Sequence, residues 1–363
     1  LNRNRIVDQE RNETLTFDPT KLAYWSIILT VLVTFLVVAK PLLIPLAIAF
    51  LFWALLDAIR DFLLQKTPAN WRLNRKLATL AAIAIIIAGN CLFVMIVIGQ
   101  AEALNEALPA YQQRLTAVME DGAQLAGFEQ LPTPEWLLAK LDISAAVTWA
   151  GEVAGGLVGN LMLIALYVGF MLSEEKLMTK KLLRFSSNRE KSHRMVALSG
   201  EINGRIQLYI GMKTVVSALT GILGYLLLRW VGVDFAALWG LLIFLLNFIP
   251  NGGSMIGVAF PALLTLVQFD GYTAFLIVTI GLIIINFFVG NIIEPAYLGR
   301  SLNLSPLMIL LSLSLWGAIW GLAGMFLSVP LMVVTAIICS HFKGLHWVSV
   351  LLSADGDIAH DIR

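Results

Sequence analysis

Amide and carboxylate side chains interrupt the apolar C-terminal part of the chain at a few positions. Asn247 and Asn251 lie one helical turn apart, and Asn286 lies within another apolar segment. Glu294 follows Asn291 by three residues. Amides donate and accept hydrogen bonds, whereas a carboxylate can also bind and release a proton. These residue types predict a site for a polar solute, although an asparagine among apolar residues can also serve only to hold helices together.

The sequence "IPNGG", residues 249 to 253, separates two short apolar runs. Pro250 has no backbone N–H to donate, and Gly252 and Gly253 permit a tight reversal of the chain. Because a helix end leaves peptide groups without partners, this break adds hydrogen-bonding groups to those of the asparagines. The candidate substrate-binding residues are Asn247, Pro250, Asn251, Gly252, Gly253 and Asn286. Ser254 and Ser305 are weaker candidates, because a helix can satisfy a serine hydroxyl with its own carbonyl groups.

The stretch "NIIEPAYLGRSLNLSP", which starts at Asn291, places charge between two long apolar runs. Glu294 shares a helix face with Asn291, and Pro295 is expected to end that helix. Arg300 can return to pair with Glu294 or with free carbonyl groups. Glu294, Arg300 and Asn291 are therefore candidates for coupling or gating. An interfacial loop with one charge pair and no further role is the alternative.

The elements that position these residues follow from composition. The chain has 363 residues, of which 58% are hydrophobic and only 13% are charged, whereas soluble proteins average about 25% charged residues. This composition predicts an all-α polytopic membrane protein. The net charge of +1 gives no basic field that would attract nucleic acid.

A membrane crossing needs about 20 apolar residues. The sequence predicts about six full spans, which are residues 22–39, 42–59, 77–99, 153–172, 209–228 and 272–290. Lysines and arginines cluster before the first span, after the second and after the fourth, and such residues mark cytoplasmic loops. Both termini are therefore expected in the cytoplasm. The acidic stretch between the third and fourth spans is expected outside, as a small helical insertion.

Two further apolar stretches are predicted to be re-entrant helical hairpins of opposite orientation. In residues 235–269, each limb has about 16 residues and reaches only about 24 Å, short of a hydrocarbon core of about 30 Å. Residues 307–338 meet at "WGAIWGLAG" and would enter from the cytoplasm. Each hairpin follows a span, so the two units resemble an inverted pair of the kind that many secondary transporters contain. Long tilted helices with Gly/Pro kinks are the alternative for both stretches.

Two ionisable residues lie within predicted spans. Asp57 is the second candidate for coupling, and a place at the inner interface beside Arg60 is its simpler interpretation. Lys213 shares one helix face with Tyr209 and Arg205, and its side chain is expected to extend towards the cytoplasm.

The organisation that these patterns predict has seven parts. They are a cytoplasmic tail (1–21), three scaffold spans (22–99), the outer insertion (100–152), the fourth span (153–172), a basic cytoplasmic loop (173–208), a transport core (209–340) and a cytoplasmic C-terminal tail (341–363).

Three long motifs resemble the autoinducer-2 exporter (AI-2E) family of bacterial inner-membrane proteins. They are "LWGLLIFLLNFIPNGGSMIG" from residue 238, "NFFVGNIIEPAYLGRSLNLSPLMILLSLSLWGAIWG" from residue 286 and "GMFLSVPLMVV" from residue 324. The resemblance covers residues 20 to 355 and implies a quorum-sensing role, namely export of autoinducer-2, a small neutral polyhydroxylated signal. It also implies a homo-oligomer, with a pentamer among the assemblies. Some members of the family are proposed to be cation/proton antiporters or general permeases.

Two other functions compete with export. The first is cation/proton antiport, which would use Glu294. The second is a non-transporting membrane scaffold, in which the basic loop 176–205 would bind anionic lipid or a partner. An enzyme is not predicted, because "GMKT" at 211–214 lacks the spacing of a phosphate-binding loop and no GxSxG motif occurs. The four histidines lack metal-ligand spacing, so neither a metal nor another cofactor is predicted.

Overall fold

A computed structural model describes residues 19–66, 74–126, 143–184, 188–250, 252–298, 303–342 and 344–356. Within these ranges the chain forms helices and no named strand. The helices are α1 (Pro19–Val38), α2 (Lys40–Lys66), α3 (Arg75–Ala126), α4 (Ile143–Arg184), α5 (Arg189–Val231), α6 (Ala236–Leu246), α7 (Gly252–Gln268), α8 (Thr273–Phe288), α9 (Glu294–Leu298), α10 (Pro306–His341) and α11 (His346–Leu352). A π-helical turn, Val289–Ile293, joins α8 to α9.

Five helical segments in the described part are long and apolar enough to cross a membrane. They are Lys40–Lys66, Arg75–Gln100, Arg189–Val231, Thr273–Ala296 and Pro306–His341. Three shorter apolar segments accompany them: Ser26–Val38, Ala236–Leu246 and Gly252–Gln268. The predicted all-helical membrane protein is confirmed at this level. The predicted segment 153–172 lies within α4.

The junction of α1 and α2 is a single residue. Ala39 N donates to Phe35 O and Leu43 N donates to Ala39 O, so helical hydrogen bonding continues through the junction. Pro41 has no N–H and cannot donate to Val37 O, four residues earlier. At the same end of α1, Leu36 O accepts a hydrogen bond from the indole Nε1 of Trp320, at 3.0 Å. This bond ties the end of α1 to α10.

Helix α5 has a defined start and end. The side chain of Asn188 accepts hydrogen bonds from Glu190 N and Lys191 N, which caps the first turn. At the other end Gly232 adopts a left-handed conformation (φ 85°) and its N–H bonds to Leu228 O. A glycine takes this conformation without strain, which lets the chain leave α5 and turn into α6.

Helices α6 and α7 form a helical hairpin, because the start of α6 and the end of α7, both far from the turn, are bonded to each other. The side-chain amide of Gln268 donates to Gly232 O (2.8 Å) and accepts from Asp234 N (2.9 Å). At the turn, a Cβ on Gly253 would lie only 1.7 Å from Leu246 O, so the two limbs approach as closely as glycine permits. Residues 232–234 and 268 therefore lie together, at the end opposite the turn.

Helix α10 also reverses direction within its length. Gly321 has φ 64° and ψ −141°, which is not helical. Ser312 Oγ donates to Ser328 O at 3.0 Å, whereas 16 residues of straight helix would separate the two by about 24 Å. The two limbs therefore fold against each other at Gly321.

The two hairpins meet at their turns. Phe248, next to the turn of α6–α7, packs against Phe326, shortly after Gly321, with ring centroids 4.8 Å apart. Separate hydrophobic clusters support each hairpin. One joins α2 and α5 to α10 through residues such as Tyr209 and Leu327, and the other joins α5 to α6, α7 and α8 through residues such as Ile243. Helix α5 contributes residues to both clusters and therefore packs against both hairpins.

Candidate functional site

A cavity of about 930 Å³ lies where the two hairpins meet. Its walls are α5, the turn between α6 and α7, the length of α7, and α8 with its π-helical turn. Ile309 and Val329, one from each limb of α10, also line it. The cavity therefore touches α5, α7, α8, α9 and α10 of the predicted transport core, and the turn that follows α6.

Asn247 is a buried member of the predicted substrate-binding residues. It is buried at the end of α6, and its Nδ2 donates to Ser217 Oγ on α5 at 3.0 Å. The amide oxygen of Asn247 remains as an acceptor on the cavity wall. Pro250 and Ser254 line the cavity beside it, whereas Asn251 lies outside the described residues.

Helix α8 and the π-helical turn that follows it contribute two further amides. Asn286 Nδ2 donates to Leu282 O at 2.9 Å, and Asn291 Nδ2 donates to Phe287 O at 3.1 Å. Each bond is to a carbonyl one turn earlier in the same helix, so neither Nδ2 group links two helices. Both residues line the cavity, where their amide oxygens can accept hydrogen bonds from a solute.

The turn that carries Glu294 is wider than an α-helical turn. Glu294 N donates to Val289 O, five residues earlier, which is a π-helical bond. The prediction that Pro295 ends the helix is wrong, because α9 continues to Leu298. A π-helical turn accommodates Pro295 by displacing the preceding carbonyl groups from the proline ring, and such turns are frequent at functional sites.

An ion pair lies at the end of the cavity formed by α5 and α9. Lys213 Nζ is 2.7 Å from Glu294 Oε1, and the two side chains are only 8% and 23% exposed. The side chain of Lys213, which was expected to extend towards the cytoplasm, is mostly buried, and Glu294 gives its ammonium group a partner inside the protein. Arg300, the predicted partner of Glu294, lies outside the described residues.

Asp57 does not line the cavity. It is buried on α2, with Oδ1 2.8 Å from Arg60 Nη1. Asp61 and Glu175 also approach Arg60, and Glu175 pairs with Arg75 as well. This cluster joins α2, α3 and α4 at a distance from the polar residues of α8.

Gly252 and Gly253 occupy the turn but are not part of the cavity wall described here. Gly253 serves the close approach of α6 and α7, and a Cβ on Gly252 would meet no atom within 4 Å. Ser305 precedes α10, and its backbone N–H bonds to Leu352 O, away from the cavity. The structure thus separates the residues that face the cavity from those that shape the turn.

Several cavity residues escaped the sequence interpretation. Tyr209, Lys213 and Ser217 recur every four residues on α5, and all three face the cavity or its nearest polar residue. That periodicity was visible in the sequence. The pairing of Lys213 with Glu294 was not, because 81 positions separate them. Among the residues that the structure describes, no group of three His, Cys, Asp or Glu side chains could hold a metal ion.

Known proteins resemble the chain over most of its length. The family model described as "AI-2E family transporter" matches residues 26–344. The AI-2 transport protein TqsA of Escherichia coli K12 is 30% identical over 321 residues, which is 87% of this chain and 90% of TqsA. The putative transport protein YhhT of the same organism is 31% identical, covering 78% of this chain and 82% of YhhT. A putative transport protein of Haemophilus influenzae is 36% identical, covering 64% and 68% of the two chains.

Proposed function

The chain belongs to the AI-2E transporter family, and on that premise we propose that it is a secondary transporter of a small neutral polar solute across the bacterial inner membrane. The similarity to TqsA, whose name refers to AI-2 transport, supports autoinducer-2 as the substrate. The proposed direction is export.

The observation that carries this proposal is the chemistry of the cavity wall. The described wall offers three amides, from Asn247, Asn286 and Asn291, together with an ion pair whose charges cancel. Hydroxyl and carbonyl groups of a solute can bond to amides without supplying a charge. A strongly charged solute would have to break the pair of Lys213 and Glu294 to find a counter-ion.

The proposed placement in the membrane rests on helix length and charge. Helix α6 has 11 residues and reaches about 16 Å, roughly half of the hydrocarbon core of about 30 Å. We therefore propose that α6–α7 enters from outside and the limbs of α10 enter from the cytoplasm, so that the turns meet at depth. Irregular backbone there is tolerable only next to protein or a wet cavity, which is where these turns lie.

The proposed transport cycle moves the hairpins against a scaffold of α1 to α4. The solute enters at the end marked by Lys213 and Glu294 and displaces water from the amides. Because the turns touch through Phe248 and Phe326, a displacement of one turn changes the packing of the other. That contact supports alternate opening of the cavity to the two sides. Assembly as a homo-oligomer, with a pentamer as one form, remains part of the proposal.

The proposed solute site is tested by removing its amides one at a time. We expect Asn247→Ala and Asn286→Ala each to lower autoinducer-2 uptake into inverted vesicles by about fivefold, because each removes a hydrogen bond worth about 1 kcal/mol. Asn90→Ala is the matched control, since Asn90 Nδ2 makes the same bond to its own helix, at Ile86 O, outside the cavity. Unchanged uptake by both cavity variants, with normal insertion, would contradict the site.

Cation/proton antiport is the second candidate, because Glu294 is a carboxylate on the cavity wall. A carboxylate that alternates between Lys213 and a cation could couple the two movements. Proteoliposomes assayed for solute flux and proton flux side by side separate the functions. Antiport predicts cation-driven proton movement that Glu294→Gln abolishes, without flux of the solute, whereas export predicts flux of the solute itself.

A further inference from the structure

The cavity has two halves of different polarity. In the outer half, towards the start of α8, the wall is formed by Val258, Ala262, Leu263 and Phe275. Among the described lining residues, Thr279 supplies the polar side chain in this outer half. A small polyhydroxylated solute finds almost no hydrogen-bonding partner there. The outer half therefore suits an apolar group.

The polar groups gather in the other half. Ser254 and Asn286 lie midway, and Asn291, Glu294 and Lys213 follow at the inner end. Along α8 the change from apolar to polar wall takes place between positions 279 and 286, about one to two turns of helix. The polarity therefore changes once along the cavity, from one end to the other.

The cavity is also open along one side, between α7 and α8. Residues on its two rims are largely exposed: Met255 by 74% and Leu263 by 56% on α7, and Ile283 by 53% and Phe287 by 61% on α8. In a membrane such a slot faces the acyl chains of the bilayer. A molecule with an apolar chain can enter through it without passing through water.

The size of the cavity agrees with a larger ligand. Its volume of about 930 Å³ lies near the upper end of the range of about 300–1,000 Å³ for small-molecule sites. The outer half extends along α8 from Phe275 to Asn286, which is roughly 16 Å of helix. A compact polar solute at the inner amides would leave that length unfilled.

We propose that the cavity binds amphipathic molecules, with a neutral head bearing hydroxyl or carbonyl groups at the inner amides and an alkyl chain in the outer half between α7 and α8. This proposal rests on the proposed function, because the polar head would bind to the same inner amides as the transported solute. The outer half adds selectivity for chain length. Occupation of that half by bulk acyl chains alone is the competing account.

A series of vicinal diols with four to ten carbons tests the proposal. The readout is protection of a cysteine at the cavity wall, Ser254→Cys, from a maleimide, in nanodisc-embedded protein whose Cys91 and Cys339 are replaced by alanine. Burial of a methylene is worth about 0.8 kcal/mol, so the protecting concentration should fall about fourfold for each added carbon until the outer half is filled. Ile280→Cys, on an exposed position of α8 outside the cavity, corrects for partition of the diols into the bilayer.

A substitution on the rim of the cavity tests the binding of the alkyl chain separately from the binding of the polar head. Ala259→Phe fills part of the outer half from an exposed position, where it does not disturb the core. It should remove the dependence on chain length and leave protection by butanediol unchanged, whereas Ile280→Phe should change neither. Protection that is equal for all chain lengths overturns the amphiphile proposal and leaves the polar site standing. Absence of protection by every diol overturns both.

Discussion

At the residue scale, two neighbouring glycines in the first hairpin turn have different roles. A Cβ on Gly253 would lie 1.7 Å from Leu246 O, whereas one on Gly252 meets nothing within 4 Å. Gly253→Ala should therefore destabilise the protein by about 2 kcal/mol or more, because the clash is with backbone that can move only if the hairpin opens. Gly252→Ala is the matched control and should change stability by less than about 0.5 kcal/mol.

Thermal unfolding of the two glycine variants in the same detergent measures the difference. Equal unfolding temperatures would show that α6 and α7 do not approach as closely as the structure places them. Gly324 offers a second instance, since its Cβ would lie 1.9 Å from Trp316 O in the other hairpin.

The ion pair at the cavity leads to a second prediction. Lys213→Met or Glu294→Gln alone leaves one charge of a mostly buried pair without its partner, which should cost about 3 kcal/mol. The double variant should recover most of that loss, because no unpaired charge remains. A double-mutant cycle on unfolding free energies measures the coupling. The exposed pair of Lys181 and Glu174, with side chains 58% and 47% exposed, should give a coupling near zero.

Residue types alone were enough to select much of the candidate site. Asn247, Asn286 and Glu294 stood out because polar groups are rare in apolar segments, and all three line the cavity. Lys213 lies near the start of a predicted span, where a lysine usually extends to water, and only the tertiary structure shows that Glu294 is its partner. Asp57 also carries a carboxylate, but that carboxylate forms an ion pair with Arg60.

At the element scale, the extension of α3 beyond its apolar part holds the outer end of the first hairpin. Tyr111 donates a hydrogen bond to Asp234, and its ring meets Phe235 edge to face. Arg114 donates to Gln268 O at 2.6 Å. Burial, together with the hydrogen bond to Asp234, raises the pKa of Tyr111 above its ordinary value, so the hydroxyl stays a donor throughout the physiological pH range.

Weakening this contact should loosen the outer end of the hairpin. Tyr111→Phe combined with Arg114→Gln should speed amide exchange of residues 232–236 and 266–270 about fivefold, because bonds worth about 1 kcal/mol are lost. Tyr272→Phe, on an exposed tyrosine at the start of α8, is the control. Hydrogen-exchange mass spectrometry measures the effect, and unchanged exchange would mean that α3 does not hold the hairpin.

Helix lengths and glycine positions predicted where the helices lie in the sequence better than they predicted where the chain reverses direction. The first hairpin follows from two limbs that are too short to cross alone and from the glycines between them. The second stretch was long enough to cross when tilted, so composition did not decide its path. The reversal depends on the backbone angles of Gly321 and on the contact of Ser312 with Ser328, which no local pattern encodes.

At the scale of the whole molecule, the proposed topology places the ends of the two hairpins on opposite sides of the membrane. Single cysteines at Asp234 and Asp270, in protein without Cys91 and Cys339, should react with a membrane-impermeant maleimide in intact cells. Cysteines at Arg194 and Phe342 should react only after permeabilisation. Labelling of positions 234 and 270 from opposite sides would show that α6–α7 crosses the bilayer.

The pairing of Lys213 with Glu294 determines how the cavity responds to membrane voltage. A charge that crosses the membrane gains or loses about 2.3 kcal/mol for every 100 mV. The described wall carries one positive and one negative group side by side, so a neutral solute moving past them transfers no charge. The membrane potential would then neither drive nor oppose this part of the solute's movement.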